Sequence, residues 1–194
     1  LWKTTNAGTT WKPIFENYGS YSIGCVTIDP NDRNTIWVGT GENNGGRHIG
    51  YGDGVYVSHD GGKSFKNMGL KETEHISKII VHPRNSNIIW VAAQGPLWSA
   101  GRQRGLFKST DGGKTWNNVL SAGQWTGVSD AVIDPKNPNV LYASTHQRHR
   151  TVWALMNTGP ESGIHKSVDG GETWTELKTG LPSGNLGKIS LQVS

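Results

Sequence analysis

Ser109-Thr110-Asp111-Gly112-Gly113-Lys114-Thr115-Trp116 decides the fold, because the same phrase returns three more times. Its pattern is Ser/Thr-x-Asp/Asn-x-Gly-x-Ser/Thr-aromatic, and the other copies start at Thr4, Ser58 and Ser167, giving spacings of 54, 51 and 58 residues. Self-similarity at such a period marks a repeat architecture in which each unit stacks on its neighbours. Chemically the phrase is a tight hairpin turn. The Asp or Asn oxygen accepts hydrogen bonds from turn N–H groups, glycine supplies a backbone angle closed to other residues, and the aromatic ring covers the turn. Asn6, Asp60, Asp111 and Asp169 are therefore assigned a structural role, since one carboxyl per repeat at a fixed turn position behaves as a folding device.

A second phrase lies upstream of each of the last three copies. Val26-Thr27-Ile28-Asp29-Pro30 precedes Thr35-Ile36-Trp37-Val38, Ile79-Ile80-Val81-His82-Pro83 precedes Asn87-Ile88-Ile89-Trp90-Val91, and Ala131-Val132-Ile133-Asp134-Pro135 precedes Asn139-Val140-Leu141-Tyr142-Ala143. Each reads as strand, Pro/Asn turn, strand. Gly54–Val57, Gly105–Lys108 and Gly163–Lys166 add a third strand that runs into the eight-residue turn, and a short apolar segment after the turn adds a fourth. No 3.6-residue apolar pattern competes. Four antiparallel strands per fifty residues predict an all-β chain, a β-propeller segment of about three and a half blades. Residues 1–18 are the end of one blade, 19–70, 71–122 and 123–180 are whole blades, and 181–194 begin the next. The expected covers for the open ends are the remaining blades or another chain.

Composition sets limits on function. The 27 glycines and 34 % hydrophobic content suit strands and turns. Cys25 is the one cysteine, so no internal disulfide forms, and a buried thiol is expected. No stretch is long and apolar enough to span a membrane. The net charge of +4 is too small to suggest nucleic acid. Neither a cofactor nor a metal is expected: His146 and His149 are three apart, but Arg148 and Arg150 beside them repel a cation.

Labelling the strands of a blade A to D, alternation places the B–C and D–A loops on one rim and the A–B and C–D turns on the other. The eight-residue turns belong to the second rim. The first rim carries long B–C segments and five of the seven arginines, Arg47, Arg102, Arg104, Arg148 and Arg150. Of nine tryptophans, Trp98, Trp125 and Trp153 also fall there, in loops. Indole faces with guanidinium forks suit sugars, carboxylates and other anions. Arg47, Tyr51, Trp98, Arg102, Arg104, Trp125, His146, Arg148 and Trp153 are the candidate ligand-binding residues. A glycosidase needs two carboxyls about 5–10 Å apart, and Glu42 and Asp130 are the first candidates among the acids of this rim, which include Asp53 and Glu161.

The eight-residue phrase matches the Asp-box of bacterial neuraminidase repeats. The longer pattern, Asp-Pro, then Asn-x-x-Tyr/Trp-x-Ala, then Ser-x-Asp-Gly-Gly-x-Thr-Trp, resembles the sortilin-type and xyloglucanase propellers over nearly the whole chain. The Gly39-Thr40-Gly41-Glu42-Asn43-Asn44 and Gln94-Gly95-Pro96-Leu97-Trp98 loops look most like large bacterial proteins with a sortilin N-terminal domain. That resemblance implies a secreted, periplasmic or cell-surface location. It also implies a non-catalytic propeller segment binding a protein, peptide or glycan, with a secreted glycoside hydrolase of xyloglucanase or sialidase type as the alternative. In the xyloglucanases an acid directly follows the strand-B Thr, whereas here Gly41 follows Thr40 and Glu42 comes one place later.

Overall fold

The computed structural model describes residues 1–193. A two-stranded ribbon, β1 (Trp2–Lys3) and β2 (Lys12–Pro13), is followed by three four-stranded antiparallel sheets. The first sheet has β3 (Ile23–Asp29), β4 (Asp32–Thr40), β5 (Val55–Ser58) and β6 (Lys66–Asn67); the second has β7 (Ile76–His82), β8 (Asn85–Ala93), β9 (Gly105–Ser109) and β10 (Asn117–Leu120). The third has β11 (Thr126–Ile133) and β12 (Leu141–Gln147), then β15 (Gly163–Ser167) and β16 (Thr175–Leu177), with a small hairpin of β13 (His149–Arg150) and β14 (Leu155–Met156) inserted between them. In every sheet the strands lie in chain order, the meander of a propeller blade. Among the described residues the one helical element is a single 3₁₀ turn at Lys71–Thr73.

Alternation along the strands fills the gaps between sheets. On β4, Trp37 faces the second sheet and joins Ile76, Ile79, Ile89 and Val91, while Ile36 and Val38 face back toward Phe15, Tyr56 and Phe65. The next interval repeats the arrangement, with Trp90 and Leu106 meeting Val128, Leu141 and Ala143 of the third sheet. Trp37 and Trp90 are 2 % and 1 % exposed, so each removes nearly its whole indole from water and contributes at least the ~1.5–3 kcal/mol of a buried large apolar side chain. Cys25 packs against the first of these clusters, and burial pushes its thiol up to about 12, which makes it an inert filler.

The eight-residue turns have the geometry their chemistry requires. Asp111 Oδ1 accepts from Ser109 Oγ at 2.8 Å and from the Lys114 and Thr115 N–H groups at 2.9 and 3.0 Å, while Oδ2 accepts from Thr115 Oγ1 at 2.7 Å. Asp60 and Asp169 repeat this set, and all three carboxyls are held below the usual carboxylate range, with the Ser or Thr hydroxyl at the end of the phrase the largest cause. Asn6 accepts from the Thr10 N–H at 2.9 Å and gives its own N–H to Thr10 Oγ1. The second glycine serves twice over. Gly113 has φ +83°, and a Cβ there would sit 2.7 Å from the Trp37 ring of the preceding sheet; Gly171 stands against Trp90 in the same way. These two turns are thus plugs over the neighbouring sheet's strand-B tryptophan, while the turn at Gly62 stands against Ile14. Backbone bonds from Gly61 to Asn34, Gly112 to Asn87 and Gly170 to Asn139 place the two kinds of tight turn on one rim.

The inner strands are stitched around the axis. Thr27 Oγ1 of β3 donates to Ile79 O of β7 at 2.8 Å, Ser77 Oγ of β7 to Val128 O of β11 at 3.0 Å, and Ser144 Oγ to Ile189 O at 2.8 Å. Residues 186–191 therefore run beside the third sheet without completing a strand ladder of their own, a Gly159–Leu186 bridge being their one pairing. Of the segment 181–194 expected to begin another blade, residue 194 lies outside the described residues.

Candidate functional face

The opposite rim is assembled from three B–C loops that hold one another. Arg148 reaches from the start of the third loop to Asn44 O of the first (3.3 Å) and Gly95 O of the second (3.1 Å). Arg150 donates through Nη1 to Gly45 O at 3.1 Å, and its backbone N–H bonds Leu97 O. Arg47 returns the contact, its Nη2 donating to Val152 O at 2.9 Å. Arg104 folds back over Gly95, donating to the carbonyls of Pro96, Ser99 and Gly101. Lys188 adds a bond to Asn43 O at 2.9 Å. Loop backbone that pairs with no strand has carbonyls to satisfy, and a guanidinium with five donors satisfies several at once.

This geometry corrects the expectation for several arginine-rim residues. Arg104 and Arg148 are 3 % and 1 % exposed and donate to loop carbonyls, so they brace the face from beneath its surface. Burial lowers both to about 10, which leaves them charged at neutral pH. His146 is buried with its Nε2 on Asn157 O at 3.1 Å. Trp125 does not project: it stacks on His149 at 3.7 Å, with Arg104 over the ring at 5.9 Å. Trp98 is half-buried. Arg47, Tyr51, Arg102 and Trp153 are exposed, Trp153 to 92 %. Among the described residues no group of three or more His, Cys, Asp or Glu is placed to hold a metal.

The two acids proposed from the sequence are both engaged. Glu42 Oε2 accepts the Gly50 N–H at 2.8 Å, pinning the first B–C loop. Asp130 lies on the inner strand, in the segment where β11 shifts register, with Oδ2 accepting the Leu191 N–H at 2.9 Å and Oδ1 3.9 Å from Lys78 Nζ. Equivalent register shifts fall between Ile23 and Cys25 and between Ile76 and Lys78, so all three inner strands bulge at the same level. Asp53 instead accepts from the Tyr56 hydroxyl at 2.5 Å, and Glu161 from Thr126 Oγ1.

Glu74, which the sequence reading passed over, has a different environment. It sits on the bend between the first two sheets with φ 56° and ψ −35°, a conformation disfavoured for a residue with a Cβ. Its carboxylate accepts no hydrogen bond among the described residues, and its Oε2 lies 4.0 Å from His75 Nε2. Burial raises its pKa against the pull of Arg102, Arg104 and Arg148. Beside it His75 is fully buried and held neutral, pushed down to about 3 by burial and Arg148. Glu74, one of two glutamates in the stretch Lys71-Glu72-Thr73-Glu74-His75, carries no pattern that would have singled it out.

An open-ended propeller wall with one rim of plugged turns and one of braced, aromatic loops defines the class. The family model for sortilin, neurotensin receptor 3 (Sortilin-Vps10), matches residues 1–150 and 53–188, and the chain belongs to that family. Curated relatives include a probable oligoxyloglucan-reducing end-specific xyloglucanase of Neosartorya fischeri, 26 % identical over 78 % of this chain and 17 % of that protein. A xyloglucanase of Hypocrea jecorina is 29 % identical over 96 % of this chain and 19 % of that protein. This chain thus spans about a fifth of the length of these relatives. Among solved structures, an ancestral GH74 enzyme (TM-score 0.65, 24 % identity, 92 % of this chain and 21 % of that one) is similar in fold. So is the GH74 xyloglucanase from Xanthomonas campestris (TM-score 0.64, 21 % identity, 92 % and 27 %).

Proposed function

We propose that this chain is a propeller segment of an exported polysaccharide-acting protein of the xyloglucanase type, and that its braced loop rim receives a glucan chain. The observation that carries this reading is the run of xyloglucanases among the curated relatives, aligned over most of the chain. The exposed rings of Tyr51 and Trp153 support it, because indole and phenol faces pack against the apolar faces of sugar rings. Asp130 is the carboxylate assigned first to chemistry, since it stands on the inner strand at the bulge; Glu42 is assigned second. The remaining blades of a longer chain would supply the partner acid and the rest of the cleft.

A second reading, binding without hydrolysis, has its own observation. Both acids already accept a backbone N–H group, Glu42 from Gly50 and Asp130 from Leu191, so each carboxylate is engaged in holding its own segment. One experiment separates the two. The full-length protein is incubated with xyloglucan, and reducing ends are counted for the native sequence, Asp130→Asn and Glu42→Gln. Release that falls by at least about a hundredfold in Asp130→Asn supports hydrolysis. Retention of the polymer without release supports binding alone, and neither binding nor release removes both.

A further inference from the structure

The B–C hairpin of the third sheet joins two features that the braces leave unused. Its base is fixed: Trp125 stacks on His149, Arg150 holds Gly45 O and Leu97 O, and the strands pair as His149 with Met156 and Arg150 with Leu155. Its tip carries Trp153, 92 % exposed, with a Thr151 hydroxyl accepting the Trp153 and Ala154 N–H groups to set the bend. An indole that gains nothing from folding is presented on a rigid arm. Beside it lies Arg47, an exposed guanidinium tied by one N–H to the carbonyl of Val152, the residue before the tryptophan. The other N–H groups of Arg47 make no further hydrogen bond among the described residues.

Charge selects among the sugars that could use this pair. The two interlocked segments, residues 43–52 and 147–160, hold three arginines and two histidines and contain no aspartate or glutamate. Arg148 and Arg150 are already engaged by loop carbonyls, with Glu74 facing Arg148, so Arg47 is the exposed guanidinium of these segments, and a neutral glucan would bring it no counter-charge. A pyranose carrying a carboxylate would lay its ring on the indole and offer a planar anion to the free edge of the guanidinium fork. Resting on the reading of this rim as a polysaccharide face, we propose that Trp153 and Arg47 form a subsite for a uronic acid unit, and that the protein prefers acidic polysaccharides.

The test uses the full-length protein with glucuronoxylan, the same polymer after chemical reduction of its carboxyls, and neutral xyloglucan. Affinity is read by electrophoresis in polymer-containing gels and by quenching of indole fluorescence. The native protein is expected to bind glucuronoxylan about tenfold tighter than the reduced polymer, the effect of one charge-assisted hydrogen bond. Raising salt from about 0.05 to about 0.5 M should erase most of that preference. Arg47→Gln should abolish the preference while leaving the reduced polymer bound, and Arg47→Lys should keep part of it. Trp153→Ala, which removes no packing from the folded chain, should weaken both polymers. Equal affinity for native and reduced glucuronoxylan, or a preference that survives in Arg47→Gln, overturns the proposal; binding of xyloglucan in that case leaves the broader polysaccharide reading standing, whereas failure to bind any of the three removes both.

Discussion

The two rims of this propeller segment solve the same problem by opposite means. Both must satisfy backbone groups that leave the sheets. On the Asp-box rim the bonds made by the Asp side chains all close within about five residues, and Asp60, Asp111 and Asp169 take equivalent N–H groups at nearly the same distances. On the loop rim the bonds run across the molecule, Arg148 to Asn44 and Arg150 to Gly45, over a hundred residues apart in the chain. A local device can be copied unchanged from blade to blade. A long-range one is unique to its place, so the loop rim is where one segment can differ from another in what it binds.

The largest expected effect follows from removing a long-range brace. Arg148→Ala leaves Asn44 O and Gly95 O without their donor and opens a void in the face, and should destabilise by about 2–4 kcal/mol. Urea unfolding followed by tryptophan fluorescence measures it. Loss of less than about 1 kcal/mol, the worth of a surface contact, would mean that the loops hold without the brace.

The local rim is next in size. Gly113→Ala combines a left-handed backbone with a Cβ 2.7 Å from the Trp37 ring, and should cost about 1–3 kcal/mol. Gly112→Ala, at φ +74° but with Asn87 Oδ1 no nearer than 3.3 Å, should cost less, so the difference between the two isolates the plugging of Trp37. Equal costs in thermal melts would show that backbone angle alone matters.

Acid distinguishes the rims as well. His75 is neutral in the fold and pushed down to about 3, so on acidification the unfolded chain takes up a proton near pH ~6.5 that the folded chain refuses. Stability is fully present above that pH and is lost below it, by at most about 1.4 kcal/mol per pH unit. His75→Leu should flatten the melting temperature between about pH 7 and 5. The Asp-box carboxyls act lower. Their pKa values are depressed in the fold, so their contribution is present above the usual carboxylate range near pH ~4 and lost as pH falls through the folded values. Asp111→Ala should remove part of that lower limb and leave the His75 limb untouched.

The smallest effect on stability is expected at the tip of the hairpin. Trp153→Ala should leave the melting temperature unchanged, because the ring is almost wholly in water in the native fold. A drop of several degrees would mean that Trp153 packs on a part of the longer protein.

How much of this was legible follows the same division. The four turns, the strand pairs around Pro30, Pro83 and Pro135, and the two strand-B tryptophans were all placed correctly from residue pattern, since hairpins and alternation are local properties. The β13–β14 hairpin was hidden inside a run of fifteen loop residues, because two-residue strands leave no alternation to detect. On the loop rim the sequence indicated residue types and the correct edge, but not which arginines would be spent. Arg47 and Arg148 look alike in a sequence. One ends in solvent beside Trp153 and the other among carbonyls, through the placement of Asn44 and Gly95.

The sequence by itself determined the blade: its strand count and its hairpin turns, because each depends on bonds between residues close together in the chain. Tertiary structure alone decided the face. Which guanidiniums brace and which remain free, why Glu74 is strained among three arginines, and where a bare indole is held out depend on loops from three blades meeting, and no local pattern encodes that meeting.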